Sequence, residues 1–206
     1  MKRFYKIFIL CLLTFNFSKA QINYVFTASG GAFAANTTPT VVHAAGVDDA
    51  ISAVINIGFT FRYGCVNYTQ FKVTSNGVMF LGSTAAGSNA GNNLNTSTDR
   101  PAIAPLWDDL ATGAAGNVNY KVTGVAGARI LTVEWLNMEW SYSAVNPAIT
   151  FQAKLYETTN RIQFVYRQEA AAIVVNGASI GLSGPISGDF YSLNNTSAAP
   201  TASKLI

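Results

Sequence analysis

Hydrophobic residues along the chain fall into short runs, and glycine, asparagine and other turn-forming residues separate the runs. Residues 53–64 show the clearest alternation, because every second position carries a large apolar side chain. These positions are Ile55, Ile57, Phe59, Phe61 and Tyr63. A period of two residues with one apolar face predicts a β-strand that is buried on one side.

The dipeptide Asn76-Gly77 divides residues 71–82 into two apolar arms and predicts a hairpin. A two-residue turn of the primed type needs a positive φ at both central residues, which asparagine and glycine accept readily. Residues 149–157 and 161–168 flank a short polar segment and predict a second hairpin. Further strands are expected over residues 23–28, 117–124, 129–135, 178–184 and 190–193.

One predicted strand changes its apolar face partway along its length. The apolar positions are first Leu131, Val133 and Trp135, and then Leu136, Met138 and Trp140. One extra residue in a strand moves every later side chain to the opposite face of the sheet. We therefore predict a β-bulge or a bend near Leu136.

About ten short strands with regular turns between them predict an all-β protein, a single antiparallel β-sandwich. The domain is expected to span residues 21–194, with a long polar surface loop over residues 83–99. Residues 195–206 have the composition of a tail or of the start of a linker.

Residues 1–20 have the pattern of a secretory signal peptide. Basic residues come first, the apolar residues 7–15 follow, and Ser18 and Ala20 occupy the small-residue positions before a cleavage site. The apolar run is shorter than the roughly 20 residues that a membrane-spanning helix needs. The sequence thus predicts a secreted or cell-surface protein whose mature chain begins at Gln21 and has no membrane span.

Removal of this leader changes the charge and the cysteine content. The chain has 13 lysine and arginine residues against 10 acidic ones, and four of the basic residues lie in the leader, which leaves nine against ten. This balance, without a basic stripe, argues against a nucleic-acid partner. Cys65 is then the only cysteine, so the mature chain can form no disulfide within itself.

Residues 100–111 combine two prolines, a tryptophan and two adjacent aspartates. Pro101 and Pro105 are expected to confine this segment to an edge, a turn or a crossover, because proline donates no ladder hydrogen bond. Trp107 is then the buried residue that holds the segment in place, and Asp108 and Asp109 accept hydrogen bonds from backbone N–H groups.

Two other interpretations of the acidic residues remain open. Hard cations prefer several carboxylate oxygens, so Asp48, Asp49, Asp108 and Asp109 are candidate calcium ligands, although no EF-hand spacing is present. Glycosidases need two carboxyl groups about 5 to 10 Å apart, and Glu134 and Glu139 could share one face if the strand carries a bulge. The sequence contains no Ser-His motif and no phosphate-binding glycine motif, so no catalytic residue is assigned.

Two aromatic residues are candidates for ligand binding. Trp140 and Tyr142 lie where a strand gives way to a loop, and exposed rings there could stack on a sugar or on a partner. Packing beneath a loop is the other interpretation of these rings. Trp135, in the middle of the same strand, is expected in the core.

Five segments follow one another between residues 68 and 166: "YTQFKVTSNGVMFLG", "RPAIAPLWDDL", "TVEWLNMEW", "FQAKLYE" and "IQFVY". Together these segments resemble the extracellular nidogen-like domain. The pattern is also similar to N-terminal domains of exported multidomain proteins of the Bacteroidota. The resemblance covers residues 53–183 and implies an adhesion or matrix module with no catalytic residues to transfer.

These observations lead to three functional hypotheses. The first is an exported, non-enzymatic module for adhesion, matrix or cell-surface assembly, which binds an extracellular protein or a glycan and uses no cofactor except possible calcium. The second is a carbohydrate-binding domain that uses Trp140 and Tyr142. The third is a secreted glycoside hydrolase.

Overall fold

The computed structural model describes residues 21–87, 91–173 and 177–193. The predicted leader, residues 1–20, and the predicted tail, residues 195–206, lie outside the described residues. The described part of the chain forms twelve β-strands and no helix. In chain order they are β1 (Thr40–His43), β2 (Ile55–Tyr63), β3 (Val66–Val73), β4 (Met79–Leu81), β5 (Ala102–Trp107), β6 (Leu110–Ala111), β7 (Asn117–Thr123), β8 (Ile130–Trp140), β9 (Ile149–Tyr156), β10 (Ile162–Gln168), β11 (Ser179–Ser183) and β12 (Phe190–Ser192).

Two sheets contain these strands, and neighbouring strands in both sheets are antiparallel. The first sheet has the order β1-β7-β8-β9-β10, and β6 pairs with β8 beside this path. The second sheet has the order β12-β11-β5-β4-β3-β2. The prediction of an all-β antiparallel sandwich is confirmed, with twelve strands where the sequence predicted about ten.

The main hydrophobic core fills the space between the two sheets. Trp135 of β8 and Phe151 of β9 are fully buried and stack with their ring centroids 5.0 Å apart. The Trp135 indole Nε1 donates a hydrogen bond of 2.8 Å to the carbonyl oxygen of Thr74, which directly follows β3. Trp135 therefore fills the core and also joins the two sheets, because its indole N–H is satisfied across the interface.

The predicted change of face in β8 is confirmed as a β-bulge. The register between β8 and β9 shifts between Trp135 and Met138, so β8 contains one more residue than β9 over this stretch. Asn137 adopts a φ of 52° at the bulge, and its backbone N–H bonds to the Thr150 hydroxyl at 2.9 Å. Met138 and Trp140 thus return to the core, while Leu136 stays half-buried outside it.

The prediction of a strand over residues 23–28 is wrong, although the composition of this segment suits a strand. None of these residues pairs in a ladder, and Val25 and Phe26 are 90% and 55% exposed. Tyr24 alone turns inward, where its ring lies 5.6 Å from that of Tyr63. The first strand is instead β1, which the sequence pattern missed and which pairs with the outer edge of β7.

Both predicted hairpins form, but the turn at Asn76-Gly77 differs from the expected type. β3 pairs with β4, and Thr74 N–H bonds to the carbonyl oxygen of Val78 at 3.0 Å across three intervening residues. Gly77 has a φ of 78°, and Asn76 keeps a negative φ. A three-residue loop with glycine in the left-handed position explains this geometry. The second hairpin joins β9 and β10 as predicted.

The expectation that the prolines confine this segment to an edge, a turn or a crossover is wrong for Ala102–Trp107, because β5 is an interior strand between β4 and β11. Pro101 precedes the strand, and Pro105 lies where both ladders are interrupted. The pairing with β4 covers Ala102 and Ile103, and the register with β11 shifts between Ala104 and Trp107. A proline at such an irregularity removes no ladder hydrogen bond.

Trp107 is fully buried, although it ends a strand rather than holding a crossover. It belongs to a second, smaller cluster with Val78, Phe80, Ala85, Leu94, Ala102 and Ala104. The Phe80 and Trp107 rings meet edge to face with centroids 6.3 Å apart. Ala85 and Leu94 of the predicted loop over residues 83–99 therefore contribute apolar side chains to this cluster.

Gly77 allows a direct test of the β3–β4 turn. A Cβ atom at this position would lie 1.8 Å from the carbonyl oxygen of Leu106, whereas a Cβ atom at Gly46, which has a similar φ of 75°, would meet nothing. Gly46→Ala should cost about 1–2 kcal/mol of unfolding free energy, the strain of a left-handed residue alone. Gly77→Ala should cost more than about 4 kcal/mol, because backbone must also move. Equal losses in urea unfolding would contradict this packing.

Candidate functional site

Residues 44–54, 74–78 and 108–116 bond to one another at one end of the sandwich. The β8–β9 connection, residues 141–148, begins directly after Trp140, which bonds to Asp108, and we call the four segments together the loop end. Asn76, fully buried, joins three of them. Its side-chain Oδ1 accepts the Leu110 N–H at 2.9 Å, its Nδ2 donates to Asp49 Oδ1 at 2.7 Å, and its carbonyl accepts the Asp108 N–H at 3.2 Å. The sequence identified Asn76 only as a turn residue, because its long-range partners depend on the fold.

The two adjacent aspartates, Asp108 and Asp109, have different environments. Asp108 is buried, and its Oδ2 accepts the Trp140 indole N–H at 2.7 Å while its Oδ1 accepts the Asp109 N–H at 3.0 Å. Trp140 is buried in the core, so of the two interpretations of its ring the structure has packing, and the candidate role in stacking on a ligand is corrected. The bulge in β8 is responsible, since it returns Trp140 to the core face.

Asp109 instead approaches Asp48 and Asp49. One carboxylate oxygen from each of the three residues lies within 4.8 Å of the others. Burial raises the pKa of Asp109, and the negative charges of Asp48, Asp49 and Asp108 raise this pKa further. The fold thus brings together three of the four predicted calcium candidates, and it turns the fourth, Asp108, toward Trp140. Calcium takes six to eight oxygens, so these carboxylates supply only part of such a shell.

The β8–β9 connection presents the most exposed hydrophobic side chains of the loop end. Tyr142 is 61% exposed and Val145 is 82% exposed. An open depression beside this connection is lined by Asn137, Asn146, Pro147, Glu169, Ala170 and Ala171. Tyr142 therefore keeps the accessibility that ligand binding requires, in contrast to Trp140.

The bulge also places Glu134 and Glu139 on the same face of the first sheet, the face away from the core. Glu134 is fully buried there, and its carboxylate accepts hydrogen bonds from Asn36 N–H (3.1 Å), Asn119 Nδ2 (3.2 Å) and Gln152 Nε2 (2.5 Å). Glu139 is also buried. A glycosidase acid needs access to a sugar, which this enclosed carboxylate does not offer.

Residues 33–38 cover Glu134, and we call this segment the strap. It crosses the outer face of the first sheet from β10 to β7. The Arg167 guanidinium of β10 lies over the Phe33 ring at 4.7 Å, Gln152 of β9 donates to the Ala34 carbonyl at 2.8 Å, and Lys121 of β7 donates to the Thr37 carbonyl. The strap was not predicted from the sequence. Its partners on β7, β9 and β10 lie far apart in the chain, and only the register of the strands brings them into one row.

The described structure is an antiparallel β-sandwich module whose loop end exposes the side chains of Tyr142 and Val145. The family model described as NIDO related matches residues 23–206, and the chain belongs to this nidogen-related family. The resemblance to the nidogen-like domain is thereby confirmed. Neither a curated protein nor a solved structure matches the chain. Over the described residues, no helix is long and apolar enough to cross a membrane.

The acidic cluster of Asp48, Asp49 and Asp109 should oppose folding in a buffer of low ionic strength that contains a chelator. Asp109→Asn should raise the melting temperature at pH 7, because it removes one of several like charges. Two charges about 4 Å apart interact by about 1 kcal/mol in water, and each kcal/mol shifts the midpoint by about 2–4 °C in a domain of this size.

The pH dependence of this effect has a defined sign. Since the folded state raises the pKa of Asp109, the wild type loses stability as the pH rises through that value. The advantage of Asp109→Asn should therefore vanish below the unfolded pKa of about 3.9 and shrink at high salt. A wild-type midpoint that rises by many degrees with calcium, but not in Asp109→Asn, would instead identify a metal site.

Proposed function

We propose that this domain is an extracellular, non-enzymatic module for adhesion or assembly, and that it binds a protein partner through its loop end. The nidogen-related match supports an extracellular module, and the signal-peptide pattern of residues 1–20 supports export. The proposal includes no cofactor. The mature chain is accordingly secreted or held at the cell surface.

The environments of the acidic side chains are the main support for a non-enzymatic function. Glu134 is enclosed by the strap, and Asp108 is bonded to Trp140. General acid–base catalysis needs a carboxyl group within hydrogen-bond reach of the substrate. Incubation of the protein with a panel of polysaccharides should therefore release no products. Sugar release that is lost in Glu134→Gln would contradict this part of the proposal.

The exposed pair Tyr142 and Val145 supports a binding role for the β8–β9 connection. Tyrosine combines a large apolar ring with a hydroxyl group and is enriched at the energetic centres of protein interfaces. In sandwich domains the loops at one end of the sheets can be displayed together without disturbing the core. Because Trp140 is buried, a carbohydrate-binding platform would have to rely on Tyr142 without a second ring from this strand.

Tyr142→Ala and Tyr191→Ala form a matched pair for testing the site. Tyr191 is also exposed, but it lies on β12, at the edge of the second sheet. We expect saturable binding of the wild type to one or more immobilised matrix proteins, among collagen, fibronectin and laminin, in surface plasmon resonance. Tyr142→Ala should weaken this binding roughly tenfold or more, equivalent to about 1.4 kcal/mol, and Tyr191→Ala should not.

Two outcomes would contradict this assignment. If Tyr142→Ala and Tyr191→Ala weaken binding equally, the loop end is not the binding surface. Binding to a glycan array but to none of the matrix proteins, again lost in Tyr142→Ala, would replace the protein partner with a carbohydrate.

A further inference from the structure

Asp189 is a buried carboxylate in the turn between β11 and β12. The residue is only 5% exposed, and its two oxygens lie 3.4 and 3.2 Å from the backbone nitrogen of Ile22. Gly184 leaves space for this carboxylate, since a Cβ atom there would lie 1.7 Å from Asp189 Oδ2. Among the described residues, the Ile22 N–H is the only hydrogen-bond donor to the Asp189 carboxylate.

The nearest cation does not neutralise Asp189 by direct contact. Arg100 directs its Nη1 to the main-chain oxygens of Gly184 and Asp189, at 3.2 and 3.3 Å, and forms no ion pair with the carboxylate within the described ranges. A buried carboxylate without a contacting cation is costly, because burial removes its hydration. Within the described ranges no cation contacts the carboxylate, and Arg100 acts on it only electrostatically, from beyond ion-pair distance. The N-terminal segment enters on the side where Ile22 donates its N–H.

Gln21 lies on that side. Ile22 is buried in the core cluster, which fixes the position of the chain, while Gln21 is exposed. The backbone nitrogens of two consecutive residues are about 3 to 3.7 Å apart, as set by the bond lengths between them. A charge on the Gln21 nitrogen would thus lie no more than about 7 Å from the nearer Asp189 oxygen, and rotation about the bonds of the freed terminus can shorten this separation to that of an ion pair.

We propose that cleavage of the chain before Gln21 creates an α-ammonium group that pairs with Asp189 and fastens the mature N-terminus to the β11–β12 turn. This inference rests on the export included in the proposed function. Hydrolysis of the Ala20–Gln21 bond adds a hydroxyl to the Ala20 carbonyl carbon and a hydrogen to the Gln21 nitrogen. The new amine is protonated at neutral pH, because an α-amino group has a pKa of about 7.7–8.0.

The side chain of Gln21 provides a probe that removes this charge with little change in shape. In cyclisation, the α-amino nitrogen bonds to the side-chain Cδ and ammonia leaves, which yields a neutral lactam. Treatment with glutaminyl cyclase converts the free-amine form of the mature chain into this form. The two forms then differ in the positive charge on the Gln21 nitrogen and in the ammonia that cyclisation releases.

Thermal melting of the two forms tests the pairing. The chain from Gln21 to Ile206, which contains all twelve strands, can be released from an N-terminal fusion by a protease that leaves no extra residue. At pH 6 the free-amine form should melt about 2–4 °C above the lactam form. The difference should be absent in Asp189→Asn, whose side chain carries no charge.

The pH dependence identifies the group responsible. Pairing with Asp189 raises the pKa of the α-amino group, so its stabilisation is complete below about pH 7.7 and is lost as the pH rises through the folded value. The groups around Asp189 do not titrate in this window. Burial raises the pKa of Tyr63 well above 10.0 and that of Tyr24 to about 12, and Arg100 stays charged.

Equal melting temperatures of the two forms at pH 6 would overturn the inference, as would a difference that persists in Asp189→Asn. If Asp189→Asn does not fold, Gln21→Ala chains with a free or an acetylated amine provide the same comparison. Intact mass of exported protein should show Gln21 as the first residue, and another start would also overturn the inference. Neither result bears on matrix-protein binding, so the two proposals fail separately.

Discussion

The one-residue bulge in β8 is the constraint on which the rest of the structure depends. Without it, strict alternation would place Trp135 and Trp140 on opposite faces of the first sheet. With it, both tryptophans enter the core, and Glu134 and Glu139 share the outer face. Burial of a large aromatic side chain contributes several kcal/mol, so the bulge strongly stabilises the sandwich.

The arrangement of the loop end follows from this bulge. Trp140 brings its indole N–H to Asp108, and this bond directs Asp108 inward while Asp109 faces Asp48 and Asp49. The Asn76 side chain then hydrogen-bonds to Leu110 and Asp49 and so links residues 108–116 to residues 44–54. Among the carboxyl groups that the sequence offers as catalytic or metal-binding candidates, those of Asp49, Asp108 and Glu134 accept hydrogen bonds within the fold. Tyr142 and Val145, beyond the end of β8, remain exposed.

Local patterns predicted much of the fold, because they depend on neighbouring residues only. The alternation in β2, the hairpins and the inverted face of β8 were all predicted from short segments. The interior position of β5 was not predicted from the sequence. Whether Pro105 costs a ladder hydrogen bond depends on where the two neighbouring ladders are interrupted. The segment 23–28 has the composition of a strand, but composition does not supply a neighbouring strand with which to pair.

The candidate site was less predictable for the same reason. Asp108 and Asp109 are equivalent in the sequence, and only the fold assigns one to Trp140 and the other to an acidic cluster. The enclosure of Glu134 depends on a strap that begins about one hundred residues earlier in the chain. Register across β7, β8 and β9 brings Asn119, Glu134 and Gln152 into one row, and no local signal specifies that register.

A double-mutant cycle between Asp108 and Trp140 tests the central claim, that the bulge joins these side chains and makes Asp108 structural. The measurement is the unfolding free energy in urea of the wild type, Asp108→Ala, Trp140→Phe and the double variant. Hydrogen bonds to charged groups contribute about 1.5–3 kcal/mol, so the account predicts a coupling energy in this range. If the loss of unfolding free energy in the double variant equals the sum of the two single losses to within about 0.5 kcal/mol, the two side chains do not interact and the account is contradicted.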